Sequence, residues 1–229
     1  MKSRLLIIAA FLLSTVAFSQ QKVTRSIKSF SGIKASEGIN VYLKKGNSES
    51  VTVELDTDRI DLEDVITEVD DDILKIHLDD VNNRGYKITV HVTFVQLNEL
   101  RASSAAGIYC DDVIQASSLK LAVSSAGSIE IEIDAKEVSA AVSSAGDLEI
   151  SGSADYIKVS ASSAGDIDAY DLTAGAVVAK ASSGGSVKIA VENEISASAS
   201  SGGSVKYRGN PSKSNVNSSS GGSVRKTND

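Results

Sequence analysis

The stretch Ser143-Ser144-Ala145-Gly146-Asp147-Leu148 recurs along the second half of the chain. Ser124-Ser125-Ala126-Gly127-Ser128-Ile129 precedes it, and Ser162-Ser163-Ala164-Gly165-Asp166-Ile167 follows it. Three further copies carry glycine in place of the alanine: Ser182-Ser183-Gly184-Gly185-Ser186-Val187, Ser200-Ser201-Gly202-Gly203-Ser204-Val205 and Ser219-Ser220-Gly221-Gly222-Ser223-Val224. A degenerate copy, Ser103-Ser104-Ala105-Ala106-Gly107-Ile108, opens the series, and successive copies start 21, 19, 19, 20, 18 and 19 residues apart. A fixed period near twenty residues is the signature of a solenoid. One coil cannot bury its apolar face alone, but a stack of coils can.

The residues between the copies alternate. Side chains along a strand point to opposite faces in turn, so Val138, Ala140 and Val142 share one face before a turn, and Leu148 and Ile150 share it after. Aligning the coils puts Ile108, Ile129, Leu148, Ile167, Val187, Val205 and Val224 in one inward column, with Cys110, Ile131, Ile150, Ala169 and Ile189 in the next. Cys110 therefore reads as a small buried filler. Seven coils at a strand spacing of about 4.8 Å make a rod on the order of 30 Å long. The turn glycines Gly127, Gly146, Gly165, Gly185, Gly203 and Gly222 are expected to supply the positive backbone angles of a sharp reversal. The second serine of each pair, on the inward parity, is expected to satisfy turn backbone groups.

Composition agrees with a thin aliphatic core. Aromatic residues are 4% of the 229, Trp is absent and Pro occurs once. Residues 1–19 have the form of a secretory leader, with Lys2 and Arg4 before the apolar run Leu5 to Leu13 and small residues at Ala17 and Ser19. Its removal takes the formal net charge from −7 to −9, which argues against a nucleic-acid partner. No other stretch is apolar enough to span a bilayer. The chain is then expected to be exported to the periplasm, the outer cell surface or the medium, with no membrane span left after cleavage.

Residues 20–102 read as a strand-rich first part of the solenoid, ahead of the repeats of 103–229. Ile39 to Leu43 and Val51 to Leu55 alternate on either side of Gly46-Asn47 and predict a hairpin. Val65 to Val69 and Ile73 to Leu78 predict a second, and Asp58 to Val65 could hold one short helical turn. Tyr86 to Val95 predicts a strand with Ile88, Val90, Val92 and Phe94 on one face.

Glu37-Gly38-Ile39-Asn40-Val41-Tyr42-Leu43, taken with the Ser-Ser-Ala-Gly turns, resembles the putative auto-transporter adhesin family with a head GIN domain, common in Bacteroidetes. The resemblance covers roughly 25–225. It implies a right-handed parallel β-helix and a cell-envelope or adhesion role, and it brings no catalytic residues.

The candidate sites are surfaces. Ala122, Ala141, Ser160, Ser196 and Ser198 are small and outward, and are expected to form a nearly flat contact face. The other outward face carries a charged ladder, acidic at Glu130, Asp147, Glu149, Asp166 and Asp168 and basic at Lys188, Lys206 and Arg225. Paired carboxylates can work on a glycosidic bond, but this ladder changes sign along the rod, and Tyr109 and Tyr170 are the only rings near it. His77 and His91 both point away from the apolar face and could meet on a metal only if their strands are neighbours. The acidic run from Asp56 to Asp80 lacks the Gly and closing Glu of a calcium loop and reads as solvated surface. The reading is an all-β solenoid without catalytic activity, cofactor or metal, serving as a structural or adhesion protein that binds through its flat faces. The partner is left open among a second copy, a surface protein and a polysaccharide. The alternative is a carbohydrate-binding or carbohydrate-cleaving β-helix.

Overall fold

The computed structural model describes residues 21–79 and 85–227, so the expected leader and Asp80 lie outside the described part. The strands are β1 (Gln21–Arg25), β2 (Gly32–Ala35), β3 (Asn40–Lys45), β4 (Ser50–Leu55), β5 (Val65–Asp70), β6 (Ile73–Leu78), β7 (Ile88–Phe94), β8 (Glu99–Ala102), β9 (Gly107–Val123), β10 (Ser128–Val142), β11 (Asp147–Ala161), β12 (Asp166–Ala169), β13 (Leu172–Ala181), β14 (Ser186–Ala190), β15 (Glu194–Ala199), β16 (Ser204–Arg208), β17 (Lys213–Ser218) and β18 (Ser223–Lys226). Among the described residues there is no α-helix. A single 3-10 turn, Leu62–Asp64, sits where the sequence allows one.

The repeats stack in parallel and in register. Ile129 lies between Ile108 and Leu148, Leu148 beside Ile167, Ile167 beside Val187, Val187 beside Val205 and Val205 beside Val224. Two walls result. The front wall holds the strand that follows each turn, and the back wall the strand that precedes it. β10 serves both. It alternates inward at Ile129, Ile131, Ile133 and Ala135, slips parity at the exposed pair Lys136 and Glu137, and resumes inward at Val138, Ala140 and Val142. That slip is the looser corner of the coil. Cys110 is 6% exposed in the column of Ile131, as expected. No polar or charged residue is buried among the described residues, so the rod is held by aliphatic columns. Each fully buried Leu, Ile or Val contributes about 1.5–3 kcal/mol relative to exposure.

The tight turn differs from its expectation in an instructive way. Gly146 donates its N–H to the carbonyl of Ser143 at 3.0 Å, closing a four-residue turn. The two central residues are Ser144 at φ 52° and Ala145 at φ 58°, both left-handed, as in a type I′ turn. The same holds at Ser125 and Ala126 and at Ser163 and Ala164. The positive angles thus fall on the second serine and the residue after it, alanine in the earlier turns and Gly184, Gly202 or Gly221 in the last three, and Gly127, Gly146, Gly165, Gly185, Gly203 and Gly222 do not need them. Those glycines are required by space. A Cβ on Gly203 would stand 2.5 Å from the carbonyl carbon and oxygen of Ala181, in the coil before it. The second serine of each pair is exposed at the turn tip and not inward. The turns are instead satisfied by backbone. Ala145 donates to the carbonyl of Ser163 at 3.1 Å, and Ala126 to that of Ser144 at 3.1 Å, so the ladder runs on through the turn.

The Gly-Ile-Asn motif is an unrecognised first member of this series. Glu37 at φ 64° and Gly38 at φ 70° occupy the two central positions, and Gly38 donates to Ser104 at 2.9 Å. Ile39 stands where the next coil has Ala106 and the later coils have glycine, and it is fully buried. The strand below it, β6, runs on through His77 and Leu78 instead of turning, which leaves room for the larger side chain. Glu37 also accepts the Leu78 N–H at 2.5 Å.

The lead-in corrects one expected hairpin. β3 and β4 do not pair, because β7 lies between them, parallel to β3 and antiparallel to β4. The second hairpin forms as expected, β5 antiparallel to β6. β1 adds antiparallel to β4. Antiparallel strands therefore form the first end of both walls, with β1 and β5 as the edge strands.

The two glycine roles can be separated within one turn. Gly202 has φ 73° and open space at its Cβ position, whereas Gly203 is sterically closed. Gly202→Ala is expected to cost about 1 kcal/mol for a left-handed alanine. Gly203→Ala is expected to cost roughly 2–3 kcal/mol because backbone must move. Thermal unfolding followed by circular dichroism checks this; equal losses, or the reverse order, would contradict the assignment.

Candidate binding face

Parallel stacking converts sequence into stripes. On the front wall one outward position reads, coil after coil, as a block of rings, a block of acids and a block of bases. His91, Tyr42 and Tyr109 are in register on β7, β3 and β9. Glu130, Glu149 and Asp168 follow on β10, β11 and β12. Lys188, Lys206 and Arg225 complete the column on β14, β16 and β18. Asp147 and Asp166 stand side by side in the neighbouring column, which continues as Ser186, Ser204 and Ser223.

The ring block is a unit that the repeat pattern alone does not reveal. Tyr42 stacks on Tyr109 with centroids 5.2 Å apart and planes at 26°, and on His91 at 5.8 Å and 27°. Tyr42 is 46% exposed. Tyr109 lies against Gly107, where a Cβ would stand 2.5 Å from its hydroxyl oxygen, so that glycine makes room for the ring. The Nε2 of His91 is 3.4 Å from a Glu54 carboxylate oxygen. Tyr42, His91, Glu54, Asp56, Lys87 and Thr89 line a small hollow beside the stack. Tyr42 and Tyr109 occupy the same position after two different turns, but the signal needed the Gly-Ile-Asn segment to be aligned as a turn copy.

Charge along the ladder is partly internally matched. Lys188 donates to Asp168 at 2.8 Å, and that hydrogen bond raises the Lys188 pKa. Desolvation raises the pKa of Asp147, although the residue is largely exposed, and Asp166 beside it adds to the shift, against a smaller opposing effect of Lys188. Tyr170 lies off the main column, with the Arg208 guanidinium 4.9 Å from its ring centre. Burial pushes the Cys110 thiol up to about 11, and its Sγ donates to the Asp112 carbonyl at 3.2 Å, which fits an unreactive filler.

The back wall is less flat than expected. Ala122, Ala141 and Ser160 are adjacent, but Lys180 separates Ser160 from Ser198. Ser196 belongs to another column, which also holds Lys120 and Lys158. The five residues do not make one patch. His77 and His91 stand on different walls. His77 Nδ1 lies 3.0 Å from the Leu78 carbonyl. Among the described residues no group of three or more His, Cys, Asp or Glu side chains is placed to hold a metal.

A raised folded-state pKa means that ionised Asp147 costs stability at neutral pH, and that the cost fades as acid protonates the group in both states. Asp147→Asn is therefore expected to raise the melting temperature at neutral pH and to make no difference near about pH 3. No gain at neutral pH, or a gain that persists in acid, would contradict this.

The family profile described as "Putative auto-transporter adhesin, head GIN domain" matches residues 29–211. No curated protein sequence matches the chain. Among solved structures the chain is similar to a putative adhesin from Bacteroides fragilis, with TM-score 0.84 and 19% identity over 92% of this chain and 98% of that one. A putative adhesin from Parabacteroides merdae gives TM-score 0.72 and 17% identity over 91% and 96%. A putative lipid binding protein from Parabacteroides distasonis gives 0.63 and 17% over 91% and 97%. At these identities the structural likeness concerns the fold alone. The profile match, by contrast, spans the Gly-Ile-Asn segment and every turn copy but the last, and the chain belongs to the family of putative auto-transporter adhesins with a head GIN domain.

Proposed function

We propose that the chain is an exported, non-catalytic adhesion protein of the cell envelope that binds through the front wall of its solenoid, with the ring block at the head end as its recognition element. The observation that carries this is the His91, Tyr42 and Tyr109 stack, held on three adjacent strands beside Glu54 and Asp56. Rings and carboxylates held by a rigid sheet suit recognition of an extended partner, because little side-chain freedom is lost on contact. The family and the adhesin names of similar structures support the same class of role.

The rings also favour a second reading, carbohydrate binding, since sugar faces pack on rings while carboxylates take hydroxyl groups. Cleavage is less well supported. Glu130, Glu149 and Asp168 stand side by side at one strand spacing, about 4.8 Å, on one wall. Glycoside hydrolysis needs two carboxyl groups flanking the bond.

The test is cell fractionation with surface-accessibility labelling, followed by retention of purified protein on envelope preparations and on a panel of soluble polysaccharides. The chain is expected outside the cytoplasm. Tyr42→Ala with Tyr109→Ala is expected to weaken retention about tenfold or more with the fold intact by circular dichroism. Cytoplasmic location, or retention indifferent to the loss of both rings, would overturn the proposal.

A further inference from the structure

The sign change along the front wall has a geometric consequence. Suppose two copies meet wall to wall, related by a two-fold axis that runs along the strand direction between β12 and β14. Their rods are then antiparallel, and each strand faces a strand on the other side of the axis. Asp168 meets Lys188 of the other copy, Glu149 meets Lys206, and Glu130 meets Arg225. Positions along the strand are preserved by such an axis, so the flanking columns also face themselves reversed. Asp147 meets Ser204 and Asp166 meets Ser186. On the other flank Ser151 meets Arg208, and Glu132 meets Thr227. No like charges are set opposite one another. A parallel arrangement of the same walls would put acid against acid and base against base.

We propose that this face is a self-complementary interface and that its occupant is a second copy of the chain, docked antiparallel across the β10 to β18 part of the front wall. Charge complementarity in a two-fold contact needs each acidic block to have a basic block at the same distance on the other side of the axis. The register supplies that symmetry, three acids and three bases on six consecutive coils. The face is small. Six strands at about 4.8 Å and five residues at about 3.3 Å give on the order of 500 Å² per partner, against about 800 Å² in a standard stable interface. The dimer is therefore weak and salt-sensitive. Its ring blocks lie beyond the paired coils, one at each end, so the pair is bivalent. The two blocks face opposite ways, so the pair is built to bridge two partners rather than to engage one surface twice.

The experiment is sedimentation velocity of the purified full chain over a concentration series at low and high salt. Reversible dimerisation that weakens with salt is expected. Glu149→Lys sets lysine against Lys206 and is expected to weaken the dimer about tenfold or more. Adding Lys206→Glu restores it, because the facing pair is opposite again. Adding Lys188→Glu instead does not, since Asp168 then faces glutamate as well. Glu149 and Lys206 are exposed, and unchanged melting temperatures show that the fold is intact. The proposal is overturned by a chain that stays monomeric at low salt, by a dimer indifferent to Glu149→Lys, or by equal rescue from Lys188→Glu. Failure here leaves the adhesion reading in place, because the ring block lies outside the paired coils and is tested on its own.

Discussion

From the Ser103 turn to the Ser182 turn each reversal hands a backbone hydrogen bond to the coil above it, and this continuous ladder is the constraint on which the rest depends. Strands in a parallel stack lie about 4.8 Å apart. A tight reversal usually interrupts such a ladder. Here the reversal uses two left-handed residues, and the Ala145 N–H reaches the Ser163 carbonyl at 3.1 Å. The conformation costs about 1–2 kcal/mol for each non-glycine residue, and serine and alanine accept it repeatedly. What offsets the cost is that turns and strands stack together, so the apolar columns meet without a gap. The glycine after each turn follows from the same spacing, because the preceding coil passes too close for a Cβ.

Much of this was legible in the sequence. Period and parity together placed Ile129, Leu148, Ile167 and Val187 in one column and Cys110 in the next, because both rules are local and repeat many times. The turn is less legible. Residue type alone points to Gly146 for the left-handed angle, while the angles belong to Ser144 and Ala145. A short sequence pattern does not reveal which of four turn residues reverses the chain, nor that a neighbouring coil crowds one of them. At β3 and β4 the sequence pattern misleads for a different reason. Adjacent alternating runs suggest a hairpin, but β7, more than thirty residues downstream of β4, wins the place between them.

The candidate sites show the same division. The charged ladder was legible because it lies on the repeat. The ring block was hidden because Tyr42 belongs to a coil whose turn reads Ser36-Glu37-Gly38-Ile39 and not Ser-Ser-Ala-Gly. The small-residue face was overestimated because the coils are not all equal in length. The extra residue between the Ser162 and Ser182 turns makes Lys180 easy to overlook, and the register sets it in the middle of the column.

The central claim, that the backbone ladder passes through the turns, is open to native-state hydrogen exchange resolved to single amides. Exposed turn amides ordinarily exchange much faster than those of a sheet. The ladder predicts that the Ala126 and Ala145 amides are protected to the level of Leu148 and Ile150 in the adjacent strand, and that β17 and β18 at the open end exchange first. Turn amides that exchange as fast as free loop while the strands stay protected would contradict it.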